Sequence, residues 1–211
     1  MRGLEQIPWL YDLGLSVAER FGFIRWRRWL AEGATGRTLD LGTGTGRNLA
    51  WFAATGPVAA VDPSHHNLRA ARSRAPGAVL VLARAEALPF RDGAFDTVVS
   101  GLVFCSVDDP AAGFAEVRRV LARGGSLRMI EHVRSTSTLG GWWQDLIQPA
   151  WTWVAGGCRN NRETERSVAE AGFEIEPATR KASGTMRRFV ARAIPSPSEQ
   201  LERVPAGPGR A

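Results

Sequence analysis

The sequence is poor in the residues that usually give a small protein away. It holds two cysteines, Cys105 and Cys158, one tyrosine, Tyr11, one lysine, Lys181, and three histidines. Two cysteines are too few for a disulfide framework or a four-ligand zinc site, which fits a reducing compartment; whether the two lie near each other is not legible. No apolar run approaches the ~18 residues of a membrane span, and the opening MRGLEQIPWLYD lacks the long apolar core of a secretory signal. These absences point to the cytoplasm and leave contact at a membrane surface open. The formal net charge of +6 would ordinarily suggest nucleic acid or anionic lipid. Here the basic residues are arginines scattered among alanines, and no aromatic-basic strand motif for RNA occurs, so nucleic acid is disfavoured as a partner.

What is present suffices for one sizeable core: 211 residues, 44% of them hydrophobic. Short apolar runs bounded by Gly, Pro or Asp predict strands at 38–41, 58–61, 79–83, 95–100, 126–132, 173–178 and 187–194. Amphipathic stretches between them predict helices at 47–54, 64–74, 111–121 and 162–171. Strands alternating with helices imply an α/β fold, a parallel sheet covered on both faces. The last two runs are too close for a helical crossover and should pair antiparallel at one edge. From Pro195 the chain is rich in Pro, Gly and Ser, the composition of a disordered tail.

The stretch LDLGTGTGRN, Leu39 to Asn48, follows the first predicted strand. In an open parallel sheet the ligand sits beyond the carboxyl ends of the strands, so Gly42, Thr43, Gly44, Thr45 and Gly46 fall at the binding crevice. Glycines there allow close backbone approach and leave amides free to donate. The spacing G-x-G-x-G is not the dinucleotide fingerprint G-x-G-x-x-G, whose third glycine would fall on Arg47 or Leu49. Asp40, two residues ahead of the first glycine, would repel a pyrophosphate and receive a cationic amino group. Asp62, ending the next strand in VAAVDPS, suits ribose hydroxyls. An ammonium, a ribose and no phosphate describe S-adenosyl-L-methionine; the bland alternative is a plain turn with two capping aspartates.

Five segments together, LDLGTGTGRN, AVDPS, ARAEALPFRDGAFDTVVS, EVRRVLARGGSLRMIEHVR and EAGFEIE, resemble the class I S-adenosylmethionine-dependent methyltransferases from about residue 11 to 194. The resemblance implies a Rossmann-like, seven-stranded, mostly parallel sheet with helices on both faces and an antiparallel edge strand. It implies a helical cap over residues 1–36, the cofactor domain over 37–194 with an insertion at about 135–160, and the tail over 195–211. Cofactor contacts would come from Tyr11, Asp40, Gly42, Thr43, Gly44, Gly46, Asp62, Pro63, Ala85, Glu86 and Ser100. The family commonly has an acidic residue where this chain has Arg84, so the adenine edge would rest on the Ala85 and Glu86 backbone, with Arg84 turned outward or stacked on the ring. Leu88 or its neighbours would pack on the adenine.

The acceptor is less legible, because one superfold hosts many chemistries. GLVFCSVDDP, EHVR and GGWWQDLIQPAWTWVAGGCRNNRET resemble small methyltransferases that include the mammalian alkyl-thiol enzymes and bacterial relatives, some assigned to phospholipids. IPWLYD and EALPF are more loosely similar to the quinone C-methyltransferases. Trp142, Trp143, Trp151 and Trp153 suggest either a lid with an apolar inner wall or residues packing the insertion onto the sheet. Leu10, Leu13, Val17, Phe21 and Ile24 form a stripe that would cover the crevice while the arginines at 25, 27 and 28 stay solvated, or would rest on a membrane surface.

Methyl transfer asks mainly for alignment and exclusion of water. His132, ending a central strand in EHV, is the candidate base for a thiol or phenol, with a backbone or Glu131 hydrogen bond as its structural alternative. His65 and His66 read as helix-start residues, and Cys105 as a packing residue. Three functions fit: methylation of a small apolar acceptor (thiol, amine, phenol or lipid head group), quinone C-methylation, or non-catalytic binding of cofactor or nucleic acid.

Overall fold

The computed structural model describes residues 23–52, 56–155 and 157–195. Tyr11, most of the 10–30 stripe and the tail beyond Pro195 lie outside them. The described residues form one eight-stranded sheet: β1 (Thr38–Leu41), β2 (Val58–Asp62), β3 (Val79–Leu82), β4 (Phe95–Gly101), β5 (Leu121–His132), β6 (Phe173–Ile175), β7 (Lys181–Ser183) and β8 (Met186–Ala193). The order is β3-β2-β1-β4-β5-β8-β6, with β7 paired to β8. The first five strands run parallel. β8 runs antiparallel to both β5 and β6, so the antiparallel pair expected at one edge is present, with β6 outermost. β7, which no apolar run announces, is a three-residue exposed strand folded back on β8.

Both faces of the central strands are buried, and their alternation sorts side chains into two cores. Leu39, Leu41, Val98, Leu127 and Met129 face α3 (Pro110–Val120) and α5 (Thr164–Glu170); Ala60, Val99 and Ile130 face α1 (Ile24–Glu32) and α2 (His65–Arg74). Phe114 of α3 stacks on Phe104 at 3.8 Å with the rings nearly coplanar. Burying one such ring stabilises the fold by about 1.5–3 kcal/mol. Ser64 caps α2 by accepting from the Asn67 amide, and Asp109 caps α3 ahead of Pro110. His65 and His66 accordingly open α2. The helix expected at 47–54 is only a 3-10 turn, Leu49–Trp51, in the described residues. Asn48, which would cap a helix there, instead commits its side chain to Asp40 and Arg27.

Two segments depart from expectation in how they face. On α1, Trp26 and Trp29 lie under the Arg188 guanidinium, and Arg128 stacks on Trp29 while donating to the Trp29 and Leu30 carbonyls. Arg27 reaches inward to Asn48 Oδ1 at 2.7 Å rather than staying solvated. The segment expected to be an insertion is largely one helix, α4 (Thr138–Val154), carrying Pro149. Its Leu139, Trp142, Trp143, Leu146, Ile147 and Trp153 are exposed, Trp153 by 59%. The wall it turns to the protein is polar: Gln144 accepts from the Ser135 amide and donates to the Val133 and Asn160 carbonyls. Trp142, Trp143 and Trp153 therefore neither form an apolar inner wall nor pack onto the sheet, whereas Trp151 turns toward Cys158. Among the described residues no helix is long and apolar enough to cross a membrane.

Candidate active site

β1 ends at Leu41 and the chain turns through the glycines, each with positive φ: +62° at Gly42, +56° at Gly44 and +81° at Gly46. That region costs an ordinary L-residue about 1–2 kcal/mol. Two of the three have separable reasons. A Cβ on Gly46 would stand 2.8 Å from the Ala71 backbone, so this glycine lets the turn dock on α2. A Cβ on Gly44 would meet nothing within 4 Å, so open space lies over it. The amides expected to be free are engaged internally: Thr43 N donates to Val61 O, Gly44 N to Asp62 Oδ2 and Gly46 N to Thr43 O. The turn therefore offers a ligand close approach to a bare backbone more than a set of donors.

Asp40 is wholly buried on the α1/α2 side of β1. Its Oδ2 accepts from the Thr43 hydroxyl at 2.6 Å and its Oδ1 from the Asn48 amide at 3.2 Å. Burial pushes its pKa up to about 6, against the pull of those two bonds and of the Arg27 charge. Asp62 accepts from the Ser64 amide and the Asn67 side chain on Oδ1 and from Gly44 N on Oδ2. Burial raises its pKa too, with all three bonds opposing. Three donors leave about one of a carboxylate's roughly four acceptor positions open. Pro63, immediately after it, is exposed.

Past β3, Ala85 is buried and joins the core with Leu88, whose amide donates to Glu116. Leu88 thus packs inward, under α3. Glu86 Oε1 accepts from the amides of Asp108 and Asp109, tying this turn to the start of α3. Arg84 is turned outward, paired with Asp108 and Glu86; of its two expected orientations this is the one found.

At the ends of β4 and β5 the chain is held by a carboxylate. Glu131 is fully buried and accepts from the amides of Val103 and Phe104 at 2.9 Å and of Cys105 at 3.3 Å. Burial raises its pKa to about 7 although those amides and the neighbouring His132 favour the charge. Ser100, expected among the cofactor contacts, is wholly buried with its hydroxyl 3.5 Å from Glu131 Oε1. Leu102, at the start of the anchored loop, has φ +62°, a strained conformation for a bulky residue.

The same loop brings Cys105 to His132. Cys158, from the segment after α4, completes a group in which the two sulfurs and an imidazole nitrogen lie within 4.8 Å of one another. Both cysteines are buried and His132 half-buried. The Arg159 amide donates to Cys105 O at 2.7 Å, and Gln148 donates to Cys158 O at 3.1 Å, so backbone on both sides is fixed. The Cys158 thiol is drawn below the ordinary thiol range by the Cys105 thiol, His132 and Trp151, against the effect of burial. Cys105 is held well above the ordinary thiol range, as the donor of that pair. Cys105, read as a packing residue, is buried as expected, and Cys158 and His132 lie beside it.

Residues 39–129 match the methyltransferase domain family. A human protein named thiol S-methyltransferase TMT1B is 36% identical over 153 residues, 67% of this chain and 62% of its own length. An S-adenosylmethionine-dependent methyltransferase from Mesorhizobium loti superposes with a TM-score of 0.63 at 20% identity, over 80% of this chain and 96% of its own. The chain belongs to the class I S-adenosylmethionine-dependent methyltransferases. A [4+2]-cyclase, SpnF, superposes equally well, with a TM-score of 0.65 at 20% identity over 82% of each chain. Likeness of fold alone therefore does not fix the reaction. The chain spans 62% of the length of the human relative.

S-adenosylmethionine is the cofactor of this methyltransferase family, and the open cradle over Gly44 between two buried aspartates fits it. Of the expected site residues, the structure brings together Asp40, Thr43, Gly44, Gly46 and Asp62 in one bonded turn, and Ala85 and Glu86 in a second. Tyr11 lies outside the described residues. Three members were missed. Asn48 lies in the quoted glycine stretch, eight residues after Asp40, and a polar side chain so close to a buried carboxylate was a usable signal. Glu131 was visible only as a neighbour of His132. Cys158 reaches Cys105 across more than fifty residues of sequence, which no local pattern announces.

Proposed function

We propose that this chain transfers the methyl group of S-adenosylmethionine to the sulfur of a small, largely apolar thiol. The observation that carries the cofactor half is the open space over the Gly44 backbone, flanked by the buried carboxylates of Asp40 and Asp62. The acceptor half is supported by the name of the human relative and by the sulfur and imidazole groups at the end of β5. When bound, S-adenosylmethionine supplies a methyl group on a positively charged sulfur, already a strong electrophile. The remaining work belongs to this chain. Asp40 offers its negative charge toward an ammonium group, and Gly42, Thr43, Gly44 and Gly46 let the ligand lie against the backbone. Asp62 has acceptor capacity left for a ribose hydroxyl, next to Pro63. Ala85 and Glu86 supply the adenine edge. Ser100 and Glu131 hold the Leu102 to Cys105 loop so that the crevice keeps its shape and excludes water. His132 acts on the acceptor.

Methyl transfer to a panel of thiols, amines, phenols and lipid head groups tests this reading, with S-adenosylhomocysteine formation as the common readout. Thiols are expected to be the substrates, and His132→Ala to lower turnover by roughly 100-fold or more while S-adenosylhomocysteine still binds in calorimetry. Turnover confined to phenols or lipids would overturn the acceptor; NAD binding in place of S-adenosylhomocysteine would overturn the cofactor.

A further inference from the structure

We infer that Cys105, His132 and Cys158 form a binding site for a divalent zinc ion whose fourth coordination position takes the sulfur of the acceptor. The inference rests on the thiol reading above for the acceptor, while the metal site itself rests on geometry. Two cysteine sulfurs and one imidazole nitrogen, from three separate segments, converge to within 4.8 Å. Zinc with Zn–S about 2.3 Å and Zn–N about 2.0 Å keeps tetrahedral ligand atoms roughly 3.5–3.8 Å apart. The largest separation present has to close by about 1 Å, shared between two side chains.

The three groups are also held as ligands need to be. His132 ends β5 in register with Met186 of β8. Cys105 is fixed through its amide to Glu131 and through its carbonyl by Arg159 N. Cys158 is fixed through its amide to Ala155 O and through its carbonyl by Gln148. Glutamines on the inward side of α4 thus have a purpose that an apolar inner wall would not serve. Sulfur and imidazole donors select a borderline-soft cation over magnesium or calcium, and three protein ligands with one open position is the arrangement of catalytic rather than structural zinc. Two sulfurs are buried and the imidazole is half-buried, so the group opens on the His132 side.

This gives His132 a different task from a free base. On binding zinc, the acceptor thiol loses its proton to water and remains a nucleophilic thiolate at neutral pH. Its sulfur forms a bond to the methyl carbon as the carbon–sulfonium bond breaks, leaving a neutral sulfide on the cofactor side. The thioether formed is a weaker ligand than the thiolate it replaces, and it leaves.

The test uses the full chain, reduced and stripped of metal with a chelator, then titrated with zinc or cobalt. Stoichiometric uptake is expected, with cobalt giving thiolate charge-transfer absorption and the intense visible bands of tetrahedral coordination. Cys105→Ser and Cys158→Ser should each weaken zinc binding by roughly 100-fold or more while S-adenosylhomocysteine binding persists. Should either variant not fold, X-ray absorption at the zinc edge of the wild-type chain should still report two sulfur ligands. No uptake by the wild type, unchanged zinc affinity in both variants, or a Cys105–Cys158 disulfide in the freshly purified chain would each overturn the site. Undiminished thiol methylation by the stripped enzyme would refute the zinc role and leave the thiol reading intact. Metal uptake with no thiol turned over would refute the thiol reading and the acceptor role of the fourth position, and leave the metal site alone standing.

Discussion

Replacing Asp40 by Asn tests the electrostatics at the centre of the cofactor turn. Asp40 has no exposed surface, and burial raises its pKa from 3.8 to about 6. At about 1.4 kcal/mol per pH unit, keeping this carboxylate ionised in the folded chain costs about 3 kcal/mol. Because the folded pKa is raised, the native state binds a proton that the unfolded state does not. The associated stability is fully present below about pH 4 and is lost as pH rises through about 6. Asp40→Asn is neutral at every pH and has no such loss. Its Oδ1 can still accept from Asn48, but its NH2 then replaces the oxygen to which the Thr43 hydroxyl donates, and losing that bond is a pH-independent offset of about 1 kcal/mol. Urea unfolding of both proteins at a series of pH values, without cofactor, reads the effect, since titrations of groups that do not interact with Asp40 cancel in the difference. The stability of the variant relative to wild type should climb by about 3 kcal/mol between pH 4 and 8. A flat difference would refute the buried, strained carboxylate. In the same pair, S-adenosylhomocysteine should bind wild type more tightly as pH rises through about 6 and the variant without that step.

The glycine turn makes a paired prediction. Gly46→Ala, whose Cβ would strike the Ala71 backbone at 2.8 Å, should destabilise the fold by about 2 kcal/mol or more in denaturant titration. Gly44→Ala, with open space above it, should cost only about 1 kcal/mol yet weaken S-adenosylhomocysteine binding at least tenfold by calorimetry. The reverse ranking would place the ligand elsewhere. Asp62→Ala should weaken cofactor binding by about 1–3 kcal/mol through loss of charged hydrogen bonds, and unchanged affinity would move the ribose site. Glu131→Ala leaves the amides of Val103, Phe104 and Cys105 without their acceptor and should lower stability by about 3 kcal/mol. Hydrogen exchange should speed up at those amides, and protection equal to wild type would show that another group holds the loop.

The sequence by itself determined the alternating architecture, the glycine turn after β1 and the residues crowded around it. These depend on local chemistry: periodic burial, a left-handed turn that only glycine enters cheaply, and an aspartate within a few residues of its partners. Tertiary structure alone decided which way equivalent side chains face. The α4 stripe of tryptophans and leucines has helical spacing whichever side is inward, and only the bonds of Gln144 and Gln148 turned the polar side in and the apolar side out. Arg84 had two open orientations until Asp108 supplied a partner. Whether the two cysteines meet was undetermined for the same reason. Cys105 and Cys158 sit in a loop and a post-helical segment that approach only because β5 ends beneath both, and the contact arises from strand order and loop anchoring rather than from any spacing along the chain.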